Sequence, residues 1–194
     1  MKAHKGEIED VEILWRERQD IYQPIQRALP EFLSTVQLGF PDFMPSKKEK
    51  DSLLVFMQES CLNTIKQHAA NDILREQAGI LCGQAFLDSD QLYVDITSVF
   101  PANTINSSAH FSFHEASWEN IWSQLENGAP IVGWYHTHPG LGVFLSSTDL
   151  RTQKLYFAAP WQVAVVIDPV SSQFGFFSGA EGEPLNSERS FIYT

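Results

Sequence analysis

Cysteine is scarce in this 194-residue chain, which has only Cys61 and Cys82. They stand far apart, in no Cys-x-x-Cys arrangement, which argues against a disulfide scaffold and against a structural zinc site closed by thiolates. Both read as small buried apolar groups. Basic residues are also few: 13 Lys and Arg face 24 Asp and Glu, for a formal net charge of -11. Without clustered cations there is little to displace counterions from a phosphate backbone, so nucleic acid is not an expected partner. No apolar run approaches the length needed to span a bilayer, and the charged stretch Met1 to Asp10 has no apolar h-region. The expectation is a cytoplasmic chain with no membrane partner. Internal repeats, low-complexity tracts and a Gly-x-Ser-x-Gly nucleophile elbow are missing as well.

What the sequence does contain is a core. An apolar content of 43% over this length suits one domain with an extension. Pro41 and Pro45 interrupt any regular element and set residues 1–45 apart as an N-terminal extension. Within that extension Val11 to Trp15 reads as a strand, and Asp20 to Leu29 as an amphipathic helix ending near Pro30. Ser46 and Glu49 form a capping box for a further helix. Along it, Leu54, Met57, Cys61, Ile65 and His68 recur at helical spacing, with His68 a core or boundary residue.

Strands are expected from Glu76 to Gly83, from Leu92 to Phe100 after the turn Asp88-Ser89-Asp90, and from Gln162 to Asp168 paired with Gln173 to Phe177. His110 to His114 reads as a short strand. Those two histidines would lie about 13 Å apart by strand rise, too far to chelate one ion. Ser117 to Asn127 reads as an amphipathic helix closed by Gly128 and Pro130. Helices and strands in this order imply an α/β or α+β domain, with a mixed sheet and helices packed outside.

One segment carries chemistry. His136 and His138 follow the apolar run Pro130 to Tyr135, which reads as a buried strand, and residues two apart on a strand point to the same side. Pro139 ends the strand. Beyond a glycine-containing loop, Ser146 reads as a helix N-cap and Asp149 as N3, where backbone amides hold the carboxylate and leave its second oxygen for a metal. Two imidazoles and one carboxylate are a ligand set of catalytic zinc, with water in the fourth position. Taken alone, a His-x-His pair is more often packing or surface chemistry. A Ser/His/Asp triad is the competing reading, and it fits two neighbouring histidines less well.

With Pro139 and the Ser-x-x-Asp added, the segment resembles the JAMM family, also called the MPN-plus or JAB metalloproteases. Its signature of His-x-His-Pro, a short loop and Ser-x-x-Asp is matched at His136, His138, Pro139, Ser146 and Asp149. Arg75 to Gly83 is similar to the family's Glu-x-x-Gly-x-Leu-x-Gly strand. The resemblance implies the MPN fold over about residues 46–180, a mixed curved β-sheet flanked by helices, with 181–194 as a C-terminal tail. It implies one Zn2+ per chain on His136, His138 and Asp149, with Glu76 as general base toward water and Ser146 stabilising the oxyanion. Glu59, Glu115 and Glu119 lack such a context and read as surface charges.

The same resemblance implies cleavage of an isopeptide or peptide bond after the C-terminal tail of ubiquitin or a ubiquitin-like protein. Conjugates of that modifier, and proteins of its conjugation pathway, are the implied partners. The tail would lie extended beside the sheet, with Trp134, Phe144 and the region after Pro101 as candidate walls. The short interval from Asp149 to Val163 leaves little room for a second zinc site and is similar to compact prokaryotic members. Hydrolysis of small peptides or sulfur-carrier extensions, and a non-catalytic scaffold of the same fold, are the alternatives.

Overall fold

A computed structural model describes residues 22–38, 53–102 and 130–194. The readings of Val11 to Trp15, Ser46 with Glu49, His110 to His114 and Ser117 to Asn127 lie outside the described residues. In chain order come β1 (Ile25–Gln26), α1 (Leu29–Leu33), β2 (Leu54–Gln58), α2 (Glu59–Asn71), β3 (Ala78–Asp88) and β4 (Gln91–Pro101). They are followed by β5 (Ile131–Thr137), α3 (Ser147–Tyr156), β6 (Val163–Asp168), β7 (Gln173–Ser178), β8 (Glu183–Pro184), a 3-10 turn (Ser187–Arg189) and β9 (Ser190–Tyr193).

The strands form one mixed sheet in the order β8-β7-β6-β5-β3-β4-β2-β9, with β1 added beside β3. Hairpins make β3 and β4, and β6 and β7, antiparallel, while β5 with β6 and β2 with β4 run parallel. β5 and β6 are buried along their whole length. Their continuous apolar runs are those of central strands covered on both faces. On one face α2 lays Cys61, Leu62, Ile65 and Ala69 against Leu81, Val94, Ile96 and Val165. On the other, Ile80, Cys82, Trp134, Ala164 and Val166 meet Phe157 at the end of α3. A third cluster gathers Phe32 of α1 with Phe56, Phe86 and Tyr93.

Three glycines make the close strand packing near the site feasible. A Cβ on Gly133 would run into the Val163 carbonyl oxygen, and one on Gly79 into the Phe100 carbonyl oxygen and the Tyr135 ring. At Gly83 the obstacle is the Asp95 carbonyl. The Tyr135 ring thus lies over Gly79, and its hydroxyl meets His68 Nδ1 at 2.7 Å. This anchors α2 to the histidine strand.

Two expectations need correction. Leu54 and Met57 do not begin a helix: Leu54–Gln58 is a buried strand, and the helix starts only at Glu59. The five apolar residues Leu53 to Met57 are needed on both faces, Val55 and Met57 toward α2 and Leu54 and Phe56 toward α1. Over so short a run, helical spacing and a buried strand read alike. Likewise, of the helix expected over Asp20 to Leu29, residues 22–28 are not helical and hold β1, and α1 starts only at Leu29. Pro24 disfavours a helix interior, and Pro30 opens α1 from its first turn rather than ending a helix before it. Residues 181–194 run through β8 and β9, and β9 pairs in parallel with β2.

Candidate metal centre

β5 and α3 bring His136, His138 and Asp149 together. Their Nε2, Nε2 and Oδ2 atoms form a triangle with sides of 2.9 Å between the rings, and 3.2 and 3.4 Å from each ring to the carboxylate. Four-coordinate zinc with bonds of 2.0–2.2 Å places its donors about 3.3–3.6 Å apart, so the two sides to the carboxylate match such an ion and the ring-to-ring side of 2.9 Å would open by about 0.4 Å to hold it. All three residues are buried. The strand places both rings on one side, as alternation requires. The helix brings the carboxylate to them because Ser146 and Asp149 close a capping box at its start.

The capping geometry differs from expectation in one respect. A single carboxylate oxygen, Oδ2, both accepts the Ser146 N–H at 2.7 Å and faces the two rings. The cap therefore aims the donor atom itself. Burial works against the charge on Asp149, yet the two imidazoles and the Ser146 contact hold its carboxyl far below the usual range. Burial likewise opposes charge on His138, but the hydrogen bond and charge of Asp149, aided by the charge of Glu76, raise its pKa above the ordinary value.

Glu76 enters from the segment just ahead of β3. The β3–β5 register sets Ala78 against His136, and it continues beyond the strands because Thr137 N–H donates to the Gln77 carbonyl at 2.8 Å and Gln77 N–H to Thr137 Oγ1 at 2.9 Å. By that register Glu76 stands across from His138, and facing residues of an antiparallel pair lie on the same side. Glu76 is half-buried. The Gln77 amide also donates to the carbonyls of Ala69 and Asp72, tying the end of α2 to this point. Ser146 is half-buried, and its Oγ accepts the Asp149 N–H at 3.3 Å, which leaves the hydroxyl proton available for another partner.

Packing holds both rings, and the backbone of Gly142 also acts on His138. The Nδ1 of His136 is buried without a hydrogen-bond partner among the described residues, where a metal-bound imidazole customarily has one. Instead Trp134 stacks on His136 with centroids 4.7 Å apart, and Phe144 lies 4.7 Å from His138. Trp134 is itself buried between His136 and Phe157, so it cannot line a substrate channel as expected. Phe144 is 45% exposed and remains a wall candidate.

Two contributors escape a reading of the sequence. Gln153, fully buried on α3 one turn beyond Asp149, accepts the Trp134 indole N–H at 2.7 Å and donates to the carbonyls of Phe157 and Gly179. Asp168, at the end of β6, accepts backbone N–H groups from the loop after His138. A four-residue offset from Asp149 hints at the first, and an Asp-Pro turn hints at the second. The cysteines take no part: both are unbridged, and burial pushes the Cys61 thiol up to about 11 and that of Cys82 to about 12.

This fold and constellation are those of an MPN-type domain, and the chain belongs to the JAB1/Mov34/MPN/PAD-1 ubiquitin protease family, which it matches over residues 52–159, more than half of its length. Among similar proteins, ubiquitin carboxyl-terminal hydrolase RPN11 of Saccharomyces cerevisiae is 30% identical over 123 residues, 62% of this chain and 40% of that protein. The 26S proteasome non-ATPase regulatory subunit 14 of Drosophila melanogaster is 28% identical over 123 residues, with the same coverage of 62% and 40%. The chain thus spans less than half the length of these relatives. A solution structure of a protein from Desulfitobacterium hafniense shares the fold, with a TM-score of 0.55 at 21% identity over 72% of this chain and 92% of that one.

Proposed function

We propose that this chain is a zinc-dependent isopeptidase or peptidase that cleaves after the C-terminal tail of ubiquitin or a ubiquitin-like protein. The observation that carries this reading is the triangle of His136, His138 and Asp149, with Glu76 across from His138. Membership of the family and likeness to a ubiquitin carboxyl-terminal hydrolase support it. Zinc held by the three donors supplies Lewis acidity and lowers the pKa of water from about 15.7 toward roughly 7.

The chain's own residues do the rest. Glu76 takes the proton from water and later returns it to the departing amine, the base-then-acid sequence that amide cleavage needs. Ser146 turns its hydroxyl proton toward the oxygen on which charge develops, while Asp149 N–H engages its lone pair. Phe144 narrows the approach beside His138, which favours small tail residues. Ubiquitin-like conjugates, and proteins of the pathway that makes them, are the proposed partners.

The test combines metal analysis with a panel of ubiquitin-like tail fusions and short peptides. One zinc per chain and faster cleavage of the tail fusions are expected. Far faster cleavage of short peptides would favour a small-peptide or sulfur-carrier hydrolase. Zinc binding with no hydrolysis of either set would leave a scaffold, and failure to take up zinc would end the metal reading.

A further inference from the structure

Asp168 is 3% exposed, and neither metal binding nor proton transfer falls to it. Its carboxylate instead joins two turns. Oδ1 accepts N–H groups from Gly140 at 2.9 Å, Val170 at 2.9 Å and Ser171 at 3.3 Å, and Oδ2 accepts from Gly142 at 3.2 Å. Val170 and Ser171 belong to the β6–β7 connection. Gly140 and Gly142 belong to the loop that leaves His138.

That loop begins as a tight turn. Leu141 N–H donates to the His138 carbonyl at 3.2 Å, Pro139 fills the second position, and Gly140 fills the third with φ at 71°. This is the residue pattern of a type II turn. The His138 N–H donates to the Ile167 carbonyl at 2.8 Å. The backbone of His138 is therefore gripped on its near side by Ile167 and on its far side, through the turn, by Asp168. The imidazole takes its aim from this backbone, from the backbone of Gly142, which the same carboxylate holds, and from Phe144.

We infer that Asp168 is a positioning residue for His138: a buried carboxylate that clamps the turn following the second histidine and thereby directs its Nε2 at the metal. The inference rests on the metal-centre reading of the proposed function. Hydrogen bonds to a carboxylate are roughly twice as strong as neutral ones, and four of them from two turns fix a loop that glycines would otherwise leave loose. The N–H of Gly140 above all, against the cost of burial, brings the Asp168 carboxyl down to about 2, so the clamp is charged at neutral pH. Asparagine is a graded probe. Its carbonyl oxygen can keep the bonds to Gly140, Val170 and Ser171, but its NH2 cannot accept from Gly142.

The experiment uses the full chain as wild type, Asp168→Asn and Asp168→Ala, each confirmed as folded by far-UV circular dichroism. Zinc affinity is read by competition with a chromophoric chelator, and ligand geometry by the visible absorption of the Co2+-loaded chain. Asp168→Ala is expected to bind zinc about 10–100-fold more weakly, as loss of an outer support does at metal sites. Its Co2+ band should be altered, and Asp168→Asn should be intermediate on both counts. If Asp168→Ala does not fold, the Asp168→Asn chain, which retains three of the four bonds, decides by the same two readouts. Wild-type affinity and spectrum in the folded variants would overturn the inference, as would losses that only track the unfolded fraction. A wild-type chain that takes up neither ion would instead overturn the metal reading itself.

Discussion

The indole of Trp134 lies flat against the imidazole of His136, with centroids 4.7 Å apart and planes 11° apart. Its N–H is held by Gln153 from the same helix that delivers Asp149. One helix therefore brings a carboxylate to the front of His136 and braces the wall behind it. Gln153→Leu removes an acceptor from the indole and two donors from the Phe157 and Gly179 carbonyls. The expected loss is about 1–3 kcal/mol per group left unsatisfied, read from urea unfolding followed by tryptophan fluorescence.

Glu76→Gln separates binding from turnover. The amide cannot act as a base but occupies the same space across from His138, so zinc content should stay at the wild-type level. Cleavage of a tail fusion should drop by about 10²-fold or more. Unchanged turnover would remove Glu76 from the mechanism.

In the metal-free chain, stability depends on pH with opposite signs at two positions. His138 is raised above 6.5 by Asp149 and Glu76 against burial, so its contribution is complete below about pH 6.5 and disappears as pH rises through the folded value. Asp149 is depressed, so its contribution is present above its ordinary 3.8 and is lost only as strong acid protonates it. The Tm of chelator-treated protein should therefore decline above about pH 6.5. The gain in Tm on adding zinc should grow over the same interval, because the ligand must be a neutral imidazole. Scanning calorimetry at several pH values checks both trends, and a zinc increment that does not vary with pH would count against them.

Gly133→Ala tests the strand packing. The new methyl would meet the Val163 carbonyl oxygen across the β5–β6 pairing, and backbone cannot step aside as a side-chain tip can. A cost at or above the usual 1–3 kcal/mol of overpacking, roughly, is expected. Thermal denaturation measures it, and zinc affinity should fall as well because His136 and His138 ride on the same strand.

Which parts of this were legible in the sequence follows from range. His136, His138 and Asp149 lie within one short segment whose periodicity and capping signals are local, and the structure brings them together as expected. The hairpin of β3 and β4 and that of β6 and β7 were also readable from alternation and turn residues. β2 was not, because whether Leu54 to Gln58 coils or extends is decided by β4 and β9 on either side of it. Asp168 and Gln153 were missed for a related reason. Beside their local bonds, the partners that tie them to the site are backbone groups 26 or 28 residues away and an indole 19 residues away, which a local hint does not name.

The pairing of β9 with β2 bears on how this domain can be handled. Val55 to Gln58 present backbone groups that Ser190 to Tyr193 occupy, and the Tyr193 hydroxyl reaches past β2 to Asp95 on β4 at 2.6 Å. Trimming a recombinant version back to residue 180 would strip that cover and bare an apolar sheet margin, the kind of surface that recruits a second chain. Affinity handles and fluorophores are better fused beyond Thr194 with a spacer than substituted for this last strand.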